Sequence, residues 1–228
     1  MRVNAVIVAA GEGRRMGGGT PKPLLKLAGR EVVIHTLERF AASTVGKAIV
    51  VVPENERVNF ERLLAAVKLK PLEWTLQNGG ARRQDSVARG LEAVDKDCEI
   101  VVVHDAVRPL VSPALIDRCV AAADKDGAAA AGLPVRDTIK VVGADGRVES
   151  TPPRESLWEI QTPQAFRAAL LREAHRRAGV DQIEATDDAM LVERLGEKVV
   201  VVEGEPRNIK ITTPEDLIVA EALLKSAG

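Results

Sequence analysis

Apolar runs of strand length alternate with helix-period segments through most of the chain. Residues 3–9 are almost wholly apolar and predict a first strand that runs into a glycine-rich loop. Residues 31–42 then place Val33, Ile34, Leu37 and Phe40 at helical spacing, one face of a 3.6-residue period. Residues 47–53 are nearly continuous in Ala, Ile and Val, as expected of a parallel strand covered on both faces. A helix over 55–67, a strand over 72–77 and an amphipathic helix over 85–94 follow, and Ile100-Val101-Val102-Val103 reads as the next buried strand. Ser112 and Pro113 supply an N-cap and a proline at the first helical position. The small apolar stretch 128–133 reads as a central strand rather than more helix, because Gly127 and Pro134 bracket it, both of them breakers.

Alternating β and α units predict an α/β fold: a single Rossmann-like domain spanning 1–228, with a mostly parallel, helix-flanked sheet. Ligands of such sheets bind at the carboxyl ends of the strands. The pattern then changes. Residues 138–142 and 147–150 are short β runs joined by Gly143-Ala144-Asp145-Gly146, a hairpin signal. Thr151-Pro152-Pro153 closes it, so the stretch 136–156 is predicted to be an inserted β-arm. Insertions of this length usually serve function or a partner. The core is expected to resume with helices over 166–177 and 187–195, a strand over 198–202 and a helix from Pro214.

Composition narrows the partners. At 228 residues the chain is long enough for a sizeable core. Lys plus Arg total 32 against 33 for Asp plus Glu, which excludes affinity drawn from a global basic field. Aromatics make up 2%, with three Phe, two Trp and no Tyr, so a stacking platform for single-stranded nucleic acid has almost nothing to be built from. No nucleic-acid partner is therefore expected. Cys98 and Cys119 have neither CxxC nor metal-ligand spacing and read as two inert thiols in a reducing compartment. The N-terminal apolar run superficially suggests a signal peptide, but it enters a Gly/Arg segment with no cleavage region and is too short to span a bilayer. A soluble, cytoplasmic protein with no membrane partner is expected.

The segment from Ala9-Ala10-Gly11 to Pro21-Lys22-Pro23 carries the most chemistry. Five of the nine positions 11–19 are glycine, which lets backbone N–H groups converge on an anion without Cβ obstruction. Arg14, Arg15 and Lys22 add donors for phosphate oxygens. Met16 breaks the dinucleotide fingerprint, and no Gly-Lys-Ser/Thr follows for a Walker loop. Its place directly after a buried strand favours a phosphate cradle over a solvated surface loop.

Ala9, Ala10, Gly11, Gly13, Arg15, Met16, Pro21 and Lys22 match the opening signature of nucleotidyltransferases that load a nucleoside monophosphate onto a sugar or alcohol phosphate. Further motifs are Gly79-Gly80-Ala81-Arg82-Arg83-Gln84-Asp85-Ser86, His104-Asp105-Ala106-Val107-Arg108-Pro109, Pro134-Val135-Arg136-Asp137-Thr138, Gln161-Thr162-Pro163-Gln164, Thr186-Asp187-Asp188 and Asn208-Ile209-Lys210. Together, and in order from about residue 3 to residue 220, these resemble the 2-C-methyl-D-erythritol 4-phosphate cytidylyltransferase family of the non-mevalonate isoprenoid pathway.

The resemblance implies transfer of CMP from CTP to a polyol phosphate with release of pyrophosphate. The attacking phosphate monoester is mostly dianionic at neutral pH and needs no general base. What the reaction needs is fixed cations and a divalent metal, Mg²⁺, to bring two polyanions together and spread the growing charge. By resemblance Arg15 and Lys22 stabilise the transition state, while Asp105 offers the hard oxygen that Mg²⁺ prefers; alone, Asp105 could equally be a helix cap or an ion pair with Arg108. The resemblance assigns the nucleotide to Ala9, Ala10, Gly11, Gly13, Arg14, Gly80, Ala81, Ser86 and Ala106, with Arg83 either flanking the base or lying on the surface of its helix. Many relatives carry Asp where this chain has Ala81, which leaves reading of the base to the main chain. The substrate phosphate falls to Arg154 and Lys210, supported by Asp105, Arg108, Thr138 and Thr186; the plain alternative for Lys210 is an ion pair with Asp216 or Glu215. In the family the arm reaches into a second subunit, so a homodimer is implied, with Thr138 and Arg154 acting in trans. His35 and His175 lie on helical segments and read as structural or surface residues. Alternatives are a ribitol 5-phosphate cytidylyltransferase, another sugar-phosphate nucleotidyltransferase, or a non-catalytic nucleotide-binding module. Arg15, Lys22 and Asp105 speak against the last.

Overall fold

The structure is a computed structural model that describes residues 1–11 and 20–226. In chain order its elements are β1 (Val3–Val8), β2 (Lys26–Leu27), β3 (Arg30–Glu31), α1 (Val32–Ala41), β4 (Lys47–Val52), α2 (Arg57–Ala65), β5 (Glu73–Asn78), α3 (Arg83–Glu92), β6 (Ile100–Asp105), α4 (Pro113–Asp126) and β7 (Ala128–Pro134). The arm carries β8 (Val141–Val142) and β9 (Val148–Ser150). The chain then continues as β10 (Trp158–Arg167), α5 (Ala168–Val180), α6 (Asp188–Glu193), β11 (Val200–Glu203) and α7 (Pro214–Lys225).

Seven strands form one sheet in the order β11-β7-β10-β6-β1-β4-β5. β1 pairs in parallel with β4 and β6, β4 with β5, and β7 with β11. Only β10 is reversed, antiparallel to both β6 and β7. The near-continuous apolar runs are explained by burial on both faces. Ala5 and Ile7 of β1, Val50 of β4 and Val102 of β6 pack with α1, α2 and α4 residues such as Phe40, Phe60 and Leu115. Their neighbours Val6, Ile49, Val51, Val101 and Val103 pack on the other face with Val87, Phe166, Leu171 and Val192. All three phenylalanines are fully buried, each stabilising by about 1.5–3 kcal/mol relative to exposure. A smaller cluster of Leu27, Val32, Leu110, Ile211 and Ala220 seats α7 beside the short β2–β3 pair.

The predicted caps are in place. Ser112 accepts a hydrogen bond from the Leu115 amide at the start of α4, and Gly127 ends that helix at φ +95°, a backbone region glycine enters at little cost. Residues 128–134 are indeed a strand. The hairpin of the arm is present, though its strands are shorter than the β runs that predict it. One element departs from the expected order. Residues 158–167 form β10, and the helix that follows starts at Ala168 rather than 166. Pro163 lies where the pairing of β10 with β7 is interrupted, between Ile160 and Gln164. Such a bulge is where a sheet tolerates a residue that cannot donate.

Candidate active site

The carboxyl ends of β1, β4, β5 and β6 open onto one cleft of about 830 Å³, where a doubly wound sheet binds its ligands. Ala9, Ala10 and Gly11 line it from the end of β1, Gly80, Ala81, Arg83 and Ser86 from the turn into α3, and Asp105 from the end of β6. Lys22 and Lys210 also line it, as do Glu54 and Glu56 after β4. Gly79 must be glycine here: a Cβ would stand 2.3 Å from the Ala10 Cβ, so the β1 and β5 loops could not pack together. The next amide, of Gly80, donates to Ser86 Oγ at 3.1 Å and is thereby fixed at the cleft rim.

Asp105 is the electrostatic centre. Its Oδ2 is 2.8 Å from Lys210 Nζ and 3.8 Å from Arg108 Nε, and its Oδ1 is 3.3 Å from Arg83 Nε. Burial alone would raise its pKa, but Arg83 and Lys210 outweigh that and hold the carboxyl well below the usual carboxylate range. The ion pair with Arg108 considered from sequence is therefore the longest of three. Lys210 turns to Asp105 rather than to Asp216, whose Oδ2 is occupied by the Thr212 and Thr213 amides. Lys22 Nζ donates to the Thr212 carbonyl at 2.7 Å, tying the loop after β1 to the segment before α7.

Arg83 is not a surface residue of its helix. Its Nη1 also meets Asp188 Oδ2 at 2.7 Å. Asp188 is 1% exposed, and His175 Nε2 approaches its other oxygen at 3.0 Å. His175 is thus structural, as expected, but buried against a carboxylate. A second buried network lies beneath Asp105. The Asp105 amide donates to Thr162 Oγ1 at 3.1 Å. The Thr162 hydroxyl is then left to donate to His104 Nδ1 at 3.1 Å, and His104 Nε2–H to the Arg108 carbonyl at 3.3 Å, a tautomer assigned from the partners. Burial pushes the pKa of His104 down to about 3. Arg108 Nη1 donates to the Asn208 carbonyl, and Asn208 Nδ2 donates to the Thr162 carbonyl at 2.8 Å. Arg108 Nε and Asn208 Oδ1 are buried without a hydrogen-bond partner, the kind of exception that collects at functional sites.

Other predicted residues fall elsewhere. Gly13, Arg14 and Arg15 lie outside the described residues. Ala106 is fully buried, with its amide on the Val8 carbonyl and its own carbonyl accepting from Thr36. Thr186 is exposed beside Met190. Thr138 and Arg154 belong to the exposed arm, where Arg154 Nη1 donates to the Arg136 carbonyl. None of these four lines the cleft of its own chain. Thr162, Asn208 and Asp188 carry no role in the sequence reading, and His175 only a structural or surface one. The signal for Thr162, Asn208 and Asp188 lies in the motifs that contain them, Gln161-Thr162-Pro163-Gln164, Asn208-Ile209-Lys210 and Thr186-Asp187-Asp188.

The cleft and sheet define an α/β protein of the nucleotide-binding, doubly wound class, with its cations gathered around a buried carboxylate. The profile of the family described as 2-C-methyl-D-erythritol 4-phosphate cytidylyltransferase matches residues 3–226. A protein of that name from Pelotomaculum thermopropionicum is 49% identical over 226 residues, covering 99% of this chain and 95% of its own. A crystal structure of the Thermus thermophilus protein of that name is 40% identical with a TM-score of 0.80, covering 99% of this chain and 100% of its own. The 4-diphosphocytidyl-2C-methyl-D-erythritol synthase of Anaerococcus prevotii is 32% identical with a TM-score of 0.88, covering 98% and 96%. The chain belongs to the 2-C-methyl-D-erythritol 4-phosphate cytidylyltransferase family and is an enzyme, a nucleotidyltransferase. No helix among the described residues is long and apolar enough to cross a membrane.

Proposed function

We propose that the chain transfers CMP from CTP to 2-C-methyl-D-erythritol 4-phosphate in the cytoplasm, feeding the non-mevalonate route to isoprenoid precursors. A phosphate oxygen of the polyol phosphate attacks the α-phosphorus of CTP. The bond from that phosphorus to the bridging oxygen breaks, and pyrophosphate leaves with the electron pair, giving 4-diphosphocytidyl-2-C-methyl-D-erythritol. The observation that carries this reading is the cleft itself, where Arg83 and Lys210 pair with Asp105 and Lys22 lines the same wall, at the strand ends of a chain matched to the family over 3–226.

The proposed roles combine the family resemblance with where the described side chains lie. Lys22, with Arg15 on the same loop, neutralises charge growing on the α-phosphate and the leaving group. Gly80, Ala81 and Ser86 face the base, with main-chain groups reading its edge. Lys210 holds the second phosphate from the cleft wall, and Arg108, which does not line the cleft, supports it through their shared partner Asp105. Among the described residues no three His, Cys, Asp or Glu side chains gather as a ready metal cage. A single carboxylate nevertheless suits Mg²⁺, which is commonly held by one or two carboxylates with waters and substrate phosphates. Asp105 would hold it, and the ion would supply neutralisation of phosphate charge when bound.

The arm is proposed to complete a homodimer. Its Ile139, Val141, Val142 and Val148 are 39–58% exposed, an apolar surface that a second copy would cover while bringing Arg154 and Thr138 to the neighbouring cleft. Pyrophosphate release measured with each of four nucleoside triphosphates against methylerythritol, ribitol and hexose phosphates tests the activity. CTP with methylerythritol phosphate is expected to be fastest, and no release with that pair overturns the reading. Lys22→Ala and Arg154→Ala subunits mixed into hybrids are expected to regain activity. No recovery under demonstrated subunit exchange means that each site is built from one chain.

A further inference from the structure

The guanidinium of Arg83 lies between two buried carboxylates of different kinds. Asp105 lines the cleft and shares its oxygens with Lys210 and Arg108. Asp188 does not line the cleft. Its contact with Arg83, at 2.7 Å, is shorter than the 3.3 Å contact of Asp105. Three elements immobilise it: His175 of α5 holds Oδ1, Gln164 of β10 accepts from its amide at 3.2 Å, and Asp187, just before it, caps α6.

These two claims on Arg83 have different consequences once substrate arrives. Asp105 must exchange part of its present ion pairing when phosphates enter the cleft. Were it the sole anchor of Arg83, the guanidinium would follow those charges. Asp188 is too deeply buried to be approached, so its hold is unaffected by the occupant. A buried guanidinium with one fixed carboxylate keeps its direction at little entropic cost, because its planar fork is already organised.

We propose that Asp188, backed by His175, is the positioning residue that holds Arg83 on the cleft wall for the incoming nucleotide. This rests on the reading that the cleft takes CTP. Asp188 acts on the nucleotide only through Arg83, so its effect disappears when Arg83 is removed.

The test compares the unmodified enzyme with Asp188→Asn, His175→Ala, Arg83→Ala and the Arg83→Ala/Asp188→Asn pair. CTP affinity is measured by calorimetry, and kcat and KM for both substrates by pyrophosphate release. Asp188→Asn is expected to raise Kd and KM for CTP about tenfold, the effect of a hydrogen bond to a charged group. KM for the alcohol phosphate and kcat should stay within about threefold. In the Arg83→Ala background the same substitution should add nothing, as coupling through one residue requires. His175→Ala, which keeps both carboxylates, is expected to raise Kd for CTP about threefold and carries the test if Asp188→Asn does not fold. Unchanged Kd and KM in folded Asp188→Asn or His175→Ala protein overturns the proposal, as does a full additional loss in the double variant. Failure of the functional reading is distinct: the unmodified enzyme itself would neither bind CTP nor release pyrophosphate.

Discussion

The end of β6 and the arm between β7 and β10 invert the usual distribution of polarity in opposite ways. At the end of β6, charge is inside: Asp105 and Asp188 are 6% and 1% exposed, with Arg83 between them. In the arm, apolar side chains are outside, and no residue from 136 to 156 is buried. A buried charge has to find its partners when the chain folds, because leaving one unpaired costs several kcal/mol. The first region is accordingly complete within one chain, assembled from β6, α3, α6 and the segment before α7. An exposed apolar hairpin obeys no such demand from its own chain, and a two-stranded ribbon by itself is marginal in water. The two regions are therefore expected to respond differently to substitution: the first through the fold and the chemistry, the second through the association proposed for the arm.

The largest expected effect breaks the first region at its centre. Asp105→Asn leaves Arg83, Lys210 and Arg108 facing a neutral amide. Loss of one partner of a buried pair costs about 3–5 kcal/mol. The low end is expected, because Arg83 keeps Asp188 and Lys210, 42% exposed at its side chain, can turn to water. Urea unfolding should show a loss of about 3 kcal/mol, with activity abolished. A stability change below about 0.5 kcal/mol would mean that the cluster is not the closed unit described.

Lys22→Ala separates chemistry from fold in the same cleft. Lys22 bonds a carbonyl, Thr212 O, and its loss leaves that acceptor beside the open cleft. The expected outcome is a fall in kcat of about 10²–10³, as for other donors aimed at developing charge, with the far-ultraviolet circular dichroism unchanged. A rate within about threefold of the unmodified enzyme removes Lys22 from the list of groups stabilising the transition state.

The third effect depends on pH. His104 is neutral in the fold, with its pKa lowered to about 3 by burial, whereas an unfolded histidine takes up a proton near about 6.5. Between those values the unfolded chain binds the extra proton, so stability falls as pH falls, by up to about 1.4 kcal/mol per pH unit. Asp105 and Asp188, whose folded pKa values are also lowered, add to this slope only once pH drops to the ordinary carboxylate range near about 4. Their contribution is present above that range and is lost as pH falls through it. Urea titrations at pH 7, 6 and 5 should therefore show a slope that His104→Gln removes. An unchanged slope in that variant would place the proton uptake elsewhere.

How much of this could be read from residues alone follows from which side chains each element spends on the core. β1, β4 and β6 alternate apolar residues into the two faces, so their sequences announce them. β10 spends its polar residues on the buried networks: Gln161 meets Asn208, Thr162 meets His104 and the Asp105 amide, and Gln164 meets Asp187 and the Asp188 amide. With Pro163 in their midst, those residues look like a loop, and the strand is hidden in the sequence for the very reason that it matters. The cleft was legible through glycines, lysines and arginines at strand ends. Asp188 was not, because an acidic residue at the start of a helix looks like an ordinary cap, and Asp187 indeed is one. Only the three-dimensional position of Arg83, which α3 points toward α6, gives Asp188 its partner.

The smallest expected effect within a single chain belongs to the arm. Val148 is 58% exposed and pairs only within the β8–β9 hairpin. Val148→Asp removes no buried contact of its own chain, so unfolding of dilute protein should change by less than about 0.5 kcal/mol, as for ordinary surface substitutions. If a second copy covers that face, the same carboxylate enters an apolar interface without a partner, which is costly wherever water is excluded. Sedimentation velocity across a dilution series should then show dissociation at concentrations where the unmodified chain remains paired, with turnover falling in step. Dissociation without any change in the unfolding of the separated chain would place the arm's energetics between chains, and those of the β6 end within one. A variant that unfolds early yet associates normally would reverse that assignment, since the hairpin would then be contributing to the fold it projects from.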